Sequence, residues 1–211
     1  MIGQGVLLEC LDSLLIDEVL LVNRQAGNIQ HEKIKEVIHK DWSNFKTLEP
    51  QLKNYEACFF CLGISSAGLS EEKYKTITYD ITINFAKSVL SANPNLKFCF
   101  ISGAGTDSTE KGKVMWARIK GKAENDLLAM PFKDAYMFRP AMIEPRKGVK
   151  SKTKSYRVFY TLMTPFMPLL RPFKKIFTDT ETLGKAMINA VVKGYHFKIL
   201  ESIDINNLGR S

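Results

Sequence analysis

Three side chains in this sequence could do chemistry together. Ser102 closes the run Lys97-Phe-Cys-Phe-Ile-Ser102, and Trp116 and Lys120 stand four apart in Trp116-Ala-Arg-Ile-Lys120. Residues four apart share one face of a helix. A hydroxyl can orient and polarise a carbonyl, and an ammonium group can hold a hydroxylated ligand and lower the pKa of a nearby acid. The third position breaks the pattern, because an indole N–H donates a hydrogen bond but has no useful acidity. A positioned general acid is worth ~100–10,000-fold in rate. Replacing one by an indole costs rate on that scale unless Asp107, Ser108, Tyr136 or Tyr156 substitutes.

Elements of two kinds must position these groups. Strand-length apolar runs lie at 18–24, 35–39, 57–62, 97–102, 135–139 and 197–201. Short, nearly continuous runs of this kind suit parallel strands covered on both faces. Helical patterns lie between them at about 4–13, 45–53, 71–92, 113–129 and 179–193. The alternation predicts an α/β fold, a doubly wound parallel sheet wrapped by helices. At 211 residues, with 45% hydrophobic and 25% charged content, the chain suits one domain over 1–211 with a good-sized core. Cys10, Cys58, Cys61 and Cys99 all sit in apolar stretches, which predicts buried, reduced thiols and a cytoplasmic protein. His31, His39 and His196 lie far apart without ligand spacing, so no metal is expected.

The net charge of +8 belongs to one place. Residues 146–176 hold nine of the 30 Lys and Arg residues and none of the 22 Asp and Glu residues. A nucleic-acid binder would spread its charge over a recognition motif, and none is present. Within this segment Tyr156–Leu170 is apolar and aromatic. Basic flanks around an apolar stretch suit either a cover over a pocket or peripheral contact with an anionic membrane.

In their order and spacing, Cys61-Leu-Gly63 after a strand, Ser102 with Lys120, and Phe138-Arg-Pro140 resemble the atypical short-chain dehydrogenase/reductases. This is the NAD(P)-binding branch that includes epimerase-like and Tat-interacting-protein-like oxidoreductases. The resemblance runs from Gly3 to about Ile203 and implies a Rossmann-type sheet. It makes Ser102, Trp116 and Lys120 the catalytic positions, with Trp116 where the family has its Tyr, and it has Lys120 also hold the nicotinamide ribose. It places Gly3, Asp41, Cys61, Leu62, Gly63, Arg139 and Pro140 on the cofactor, and segment 146–176 over the substrate pocket. The helix at 71–92, with Asp80 and Asn84 on one face, would brace the site and form a homodimer surface. Arg24 stands at a strand end where an acidic residue would bind the ribose of NAD. A guanidinium there pairs with a 2′-phosphate, so NADP is expected in preference to NAD.

In such a fold the first strand is central and feeds a Gly-rich turn that holds the pyrophosphate. This chain opens Met1-Ile-Gly3-Gln-Gly5 and enters a helix at once. Gly3 would be the last glycine of that turn, with the strand and earlier glycines missing. Gly3 and Gly5 as plain N-terminal flexibility are the competing reading. Losing a central strand leaves about ten backbone groups unpaired at ~1–3 kcal/mol each if buried, comparable with a domain's whole stability of ~5–15 kcal/mol. An N-terminally shortened form of a longer protein is therefore expected. The sequence points to an NADP(H)-binding oxidoreductase-like protein acting on a small carbonyl or sugar-like substrate. The alternatives are a cofactor-sensing or scaffold protein with little turnover, or a fragment with impaired dinucleotide binding.

Overall fold

The apolar runs become short parallel strands, and the stretches between them become helices. The computed structural model describes residues 1–149 and 172–211. In chain order the elements begin α1 (Ile2–Asp12), β1 (Val19–Asn23), β2 (Ile34–Ile38), α2 (Glu49–Leu52), β3 (Ala57–Phe60), α3 (Glu71–Lys75) and α4 (Ile81–Ala92). They continue β4 (Lys97–Ile101), α5 (Met115–Ala129), β5 (Asp134–Arg139), β6 (Met142–Glu144), β7 (Phe177–Asp179), α6 (Thr180–Lys193), β8 (Ile199–Glu201) and α7 (Ser202–Leu208). Most of the basic segment, including Tyr156–Leu170, lies outside the described residues.

Two compact units make up the described chain. One comprises Met1–Asp12, Ile101–Ala104 and Tyr136–Ser211; the other comprises Ser13–Phe100 and Gly105–Ala135. In the second unit β1 runs parallel to β2, from Val19 opposite Ile34 to Asn23 opposite Ile38. Likewise β3 runs parallel to β4, from Ala57 opposite Lys97 to Phe60 opposite Phe100. Among the described residues β1 and β3 belong to separate sheets, and β1 is half-buried along its whole length. An aromatic ladder fills the core beneath them. Phe45 meets Phe85 edge-on at 5.1 Å, Phe60 stacks on Phe98 at 6.0 Å, and Phe98 stacks on Phe132 at 5.0 Å. Aromatic pairs in these geometries add to the ~1.5–3 kcal/mol of each buried side chain.

The pattern at 71–92 reads as one helix, but the structure interrupts it. Thr76–Asp80 forms a π turn between α3 and α4. The Thr76 hydroxyl donates to the Glu72 carbonyl at 3.1 Å, and the Thr82 hydroxyl donates to the Thr78 carbonyl at 2.6 Å. Such back-bonding bends helices and eases an extra residue into the turn.

In the first unit, the Ser102 N–H donates to the Phe138 carbonyl at 2.8 Å and the Ala104 N–H to the Pro140 carbonyl at 3.1 Å. Residues Ile101–Ala104 therefore run alongside β5, which in turn runs parallel to β8. The short strands β6 and β7 form a further parallel pair. Helix α1 packs on α6 at very close range. A Cβ on Gly5 would lie 2.6 Å from Thr180 Cβ, and one on Gly184 would lie 2.6 Å from Glu9 Cγ. Gly5 is thus a packing residue and not a flexible end. Gly3 lies inside the first turn of α1, not in a loop before it. The chain is helical from Ile2, and among the described residues no strand precedes α1.

Candidate functional site

The predicted site residues divide between the two units. Trp116 and Lys120 occupy the first turns of α5 in the second unit, facing one way at the expected spacing. The Lys120 ammonium sits 5.6 Å over the Phe100 ring at the end of β4. Burial pulls its pKa from 10.5 down to about 8, against the opposing pull of the Glu124 carboxylate. A lysine so placed needs an electron-rich partner or a neutral state. Trp116 is half-buried, with Gly105 beside its ring at φ +84°; a Cβ there would lie 3.7 Å from Trp116 Cη2.

A loop at residues 105–112 is fastened onto α5 and shapes this face. The Asp107 N–H donates to the Ala117 carbonyl at 3.1 Å, and the Arg118 guanidinium donates to the Gly112 carbonyl at 2.8 Å. The Asn125 amide donates to the Ser108 carbonyl at 3.0 Å and to the Glu110 carboxylate at 2.8 Å. The loop lies so close that a Cβ on Gly121 would be 1.8 Å from the Asp107 carbonyl oxygen. Sequence reasoning missed Gly121; its only signal was a glycine in mid-helix, which costs helix stability without a packing reason.

Two of the substitute proton donors are committed elsewhere. The Asp107 carboxylate accepts the Thr109 hydroxyl at 2.6 Å and the Gly112 N–H at 2.6 Å. These bonds, the Thr109 hydroxyl first, hold its pKa below the usual carboxylate range, so it stays ionised. Tyr136 is 1% exposed in the first unit, and its hydroxyl accepts the Tyr195 N–H at 3.2 Å. Tyr156 lies outside the described residues.

In the first unit Ser102 is buried at the end of the β4 line, followed by Gly103, where an added Cβ would meet nothing within 4 Å. Arg139 is buried too, and its guanidinium pairs with Glu201 at 3.4 Å. The Pro140 carbonyl holds Ala104. Gly3 adds its backbone to the first turn of α1, where N–H groups have no intrahelical acceptor.

At the ends of β1 and β2, in the second unit, Arg24 and Trp42 come together. The exposed Arg24 guanidinium lies 5.7 Å over the Trp42 ring. Trp42 is fixed by its indole N–H on the His39 carbonyl at 2.8 Å and by edge-on contact with Phe45 at 5.7 Å. Asp41 is occupied by its own loop: its carboxylate accepts the Ser43 hydroxyl at 2.5 Å and N–H at 3.0 Å. That is the turn role open to any Asp at a strand end. Asn84 on α4 donates to the Ser43 carbonyl at 3.2 Å and so braces this loop. After β3, Cys61 and Leu62 are half-buried, and Gly63 is exposed with open space where a Cβ would go. Burial pushes the Cys58 thiol upward, and all four cysteines are free thiols.

Comparison with known proteins agrees with this architecture. The chain is similar to the NAD complex of the WbmG enzyme of Bordetella bronchiseptica, with a TM-score of 0.65 and 11% identity over 94% of this chain and 68% of that one. It is also similar to an ADP-L-glycero-D-manno-heptose-6-epimerase of Helicobacter pylori, at TM-score 0.62 and 14% identity over 90% and 70%. The dTDP-glucose 4,6-dehydratase DesIV of Streptomyces venezuelae gives TM-score 0.63 and 12% identity over 99% and 75%. The fold is therefore Rossmann-type α/β. No family model matches the sequence.

Among curated proteins, the chain is 28% identical over 147 residues to Protein FMP52-2, mitochondrial, of Scheffersomyces stipitis, covering 68% of this chain and 62% of that protein. It is 21% identical over 208 residues to Protein fmp52, mitochondrial, of Emericella nidulans, covering 94% and 86%. These relatives are mitochondrial proteins by name, which overturns the expectation of a cytoplasmic protein. Cysteine usage does not by itself say which compartment a chain occupies.

Proposed function

We propose that residues 1–211 act as one NADP(H)-binding, oxidoreductase-like domain for a small carbonyl or sugar-like substrate. The observation that carries this reading is the partly desolvated Lys120 on α5, one turn after Trp116. Each unit carries groups suited to part of a dinucleotide. Gly63 and Gly103 leave backbone open to close approach. Arg24 over Trp42 offers a guanidinium for a 2′-phosphate and an aromatic face beside it. The first turn of α1, with Gly3, offers unpaired N–H groups for a pyrophosphate. Arg139 is committed to Glu201, so Pro140 and the backbone are what this stretch would present.

Bound NADP(H) would supply hydride exchange. Lys120 would hold the nicotinamide ribose hydroxyls through its ammonium group. The Ser102 hydroxyl would orient the substrate carbonyl. The solved relatives support the cofactor class, since WbmG and DesIV were each solved with NAD; Arg24 supports the phosphorylated form. Titration of NADPH fluorescence against the wild type and Lys120→Ala tests this. Saturable binding weakened at least about tenfold by the substitution is expected; equal binding by both proteins would remove Lys120 from the site.

A second reading is a dinucleotide-binding protein with little turnover. It is favoured by Trp116 and by the commitment of Asp107 and Tyr136 to structural bonds, which leaves no described substitute for the missing phenol among those two.

A further inference from the structure

The turn leading into β7 presents apolar and basic groups to solvent together. Phe173 is 59% exposed and Ile176 56%. Pro172, Lys174 and Lys175 are exposed as well. Large apolar side chains exposed singly need no explanation, but two in four consecutive residues form a patch. Neither lysine has an ion-pair partner among the described residues, and the sequence from 146 to 176 holds no acidic residue.

The turn is also held in shape. The Ile176 and Phe177 N–H groups both donate to the Phe173 carbonyl at 3.0 Å, and the Lys174 N–H donates to the Pro172 carbonyl at 2.9 Å. From beneath, the buried Asn206 amide on α7 donates to the Lys174 carbonyl at 3.0 Å and the Phe177 carbonyl at 2.8 Å. A pre-ordered tip binds without a further ordering cost.

We propose that Phe173-Lys174-Lys175-Ile176 is a docking tip for an anionic phospholipid surface. The ring and the Ile176 side chain enter the boundary between headgroups and acyl chains, and the two ammonium groups meet anionic headgroups. Paired apolar and basic residues on one exposed turn suit a lipid interface, which offers an apolar boundary and anionic headgroups side by side. The contact is reversible and weakens with salt.

Co-sedimentation of the full chain with two vesicle preparations tests the proposal: phosphatidylcholine alone, and phosphatidylcholine with a quarter phosphatidylserine. Binding to the second at low salt and not to the first is expected. Lys174→Gln with Lys175→Gln should weaken it roughly ten- to thirtyfold, and Phe173→Ser with Ile176→Ser should weaken it as strongly. A separate variant, Phe173→Trp, should shift its emission to the blue and be quenched by brominated lipid on the anionic vesicles, whether or not the double variants fold. The proposal is overturned by equal binding to neutral vesicles, by absence of binding, by binding that folded double variants leave unchanged, or by an unquenched Trp at position 173. Self-association that Phe173→Ser with Ile176→Ser dissolves would also overturn it, by making a second copy the occupant.

Discussion

At the scale of single residues, the proposed function turns on two side chains on α5, Trp116 and Lys120. Trp116 cannot give up a proton, and two of the expected substitutes, Asp107 and Tyr136, are each held in bonds within their own unit. Trp116→Tyr is expected to raise NADPH-dependent reduction of a panel of small aldehydes by about 100-fold or more; no rise would favour the binding-protein reading. Lys120 carries its own signature. Its folded pKa of about 8 lies below the 10.5 of the free side chain. The unfolded chain therefore binds more protons between these values, and stability rises as pH climbs from about 8 towards 10.5. Below pH 8 the full penalty for burying the charge is present, up to about 3 kcal/mol. Lys120→Met should relieve it, raising the urea midpoint at pH 7 and flattening the pH dependence above 8. A wild-type midpoint that falls over that range would contradict the assignment.

At the scale of elements, the fit between loop 105–112 and α5 is the least forgiving contact near the site. Gly121→Ala would push a methyl group into the Asp107 carbonyl and must displace the loop or the helix. A loss of about 2–3 kcal/mol in denaturant unfolding is expected, with faster hydrogen exchange at the Asp107 amide. No such contact is written in the sequence. Mid-helix glycines such as Gly121 and Gly184 report a close neighbour but not its identity. The longer apolar runs gave their strands to within a residue or two, because period and length are local properties. The strands β6 and β7 have three residues each, too few for a period to show, and α7 was missed beside them. The π turn at Thr76–Asp80 escaped for a related reason: an extra residue shifts the helix phase without changing its composition. Of the site, the positions of Ser102, Trp116 and Lys120 on their elements were legible. The lowered Lys120 pKa, the commitment of Arg139 to Glu201 and the Arg24–Trp42 contact were not, since each depends on what the fold brings beside it.

At the scale of the whole molecule, a Rossmann-type fold carries the proposed site, and the sequence adds a basic segment at 146–176. The fold is shared with a heptose epimerase and a dTDP-glucose dehydratase, at 14% and 12% identity, so it does not choose a substrate. The FMP52 relatives are named as mitochondrial proteins, against the expectation of a cytoplasmic one, and the exposed Phe173–Ile176 turn is the proposed lipid contact. Paired calorimetric titrations of the full chain with NADPH and NADH, on the wild type and on Arg24→Asp, test the central claim most directly. The wild type is expected to bind NADPH at one site at least about tenfold more tightly than NADH, and Arg24→Asp to lose that preference. Heats indistinguishable from dilution for both dinucleotides with the wild type would contradict the account.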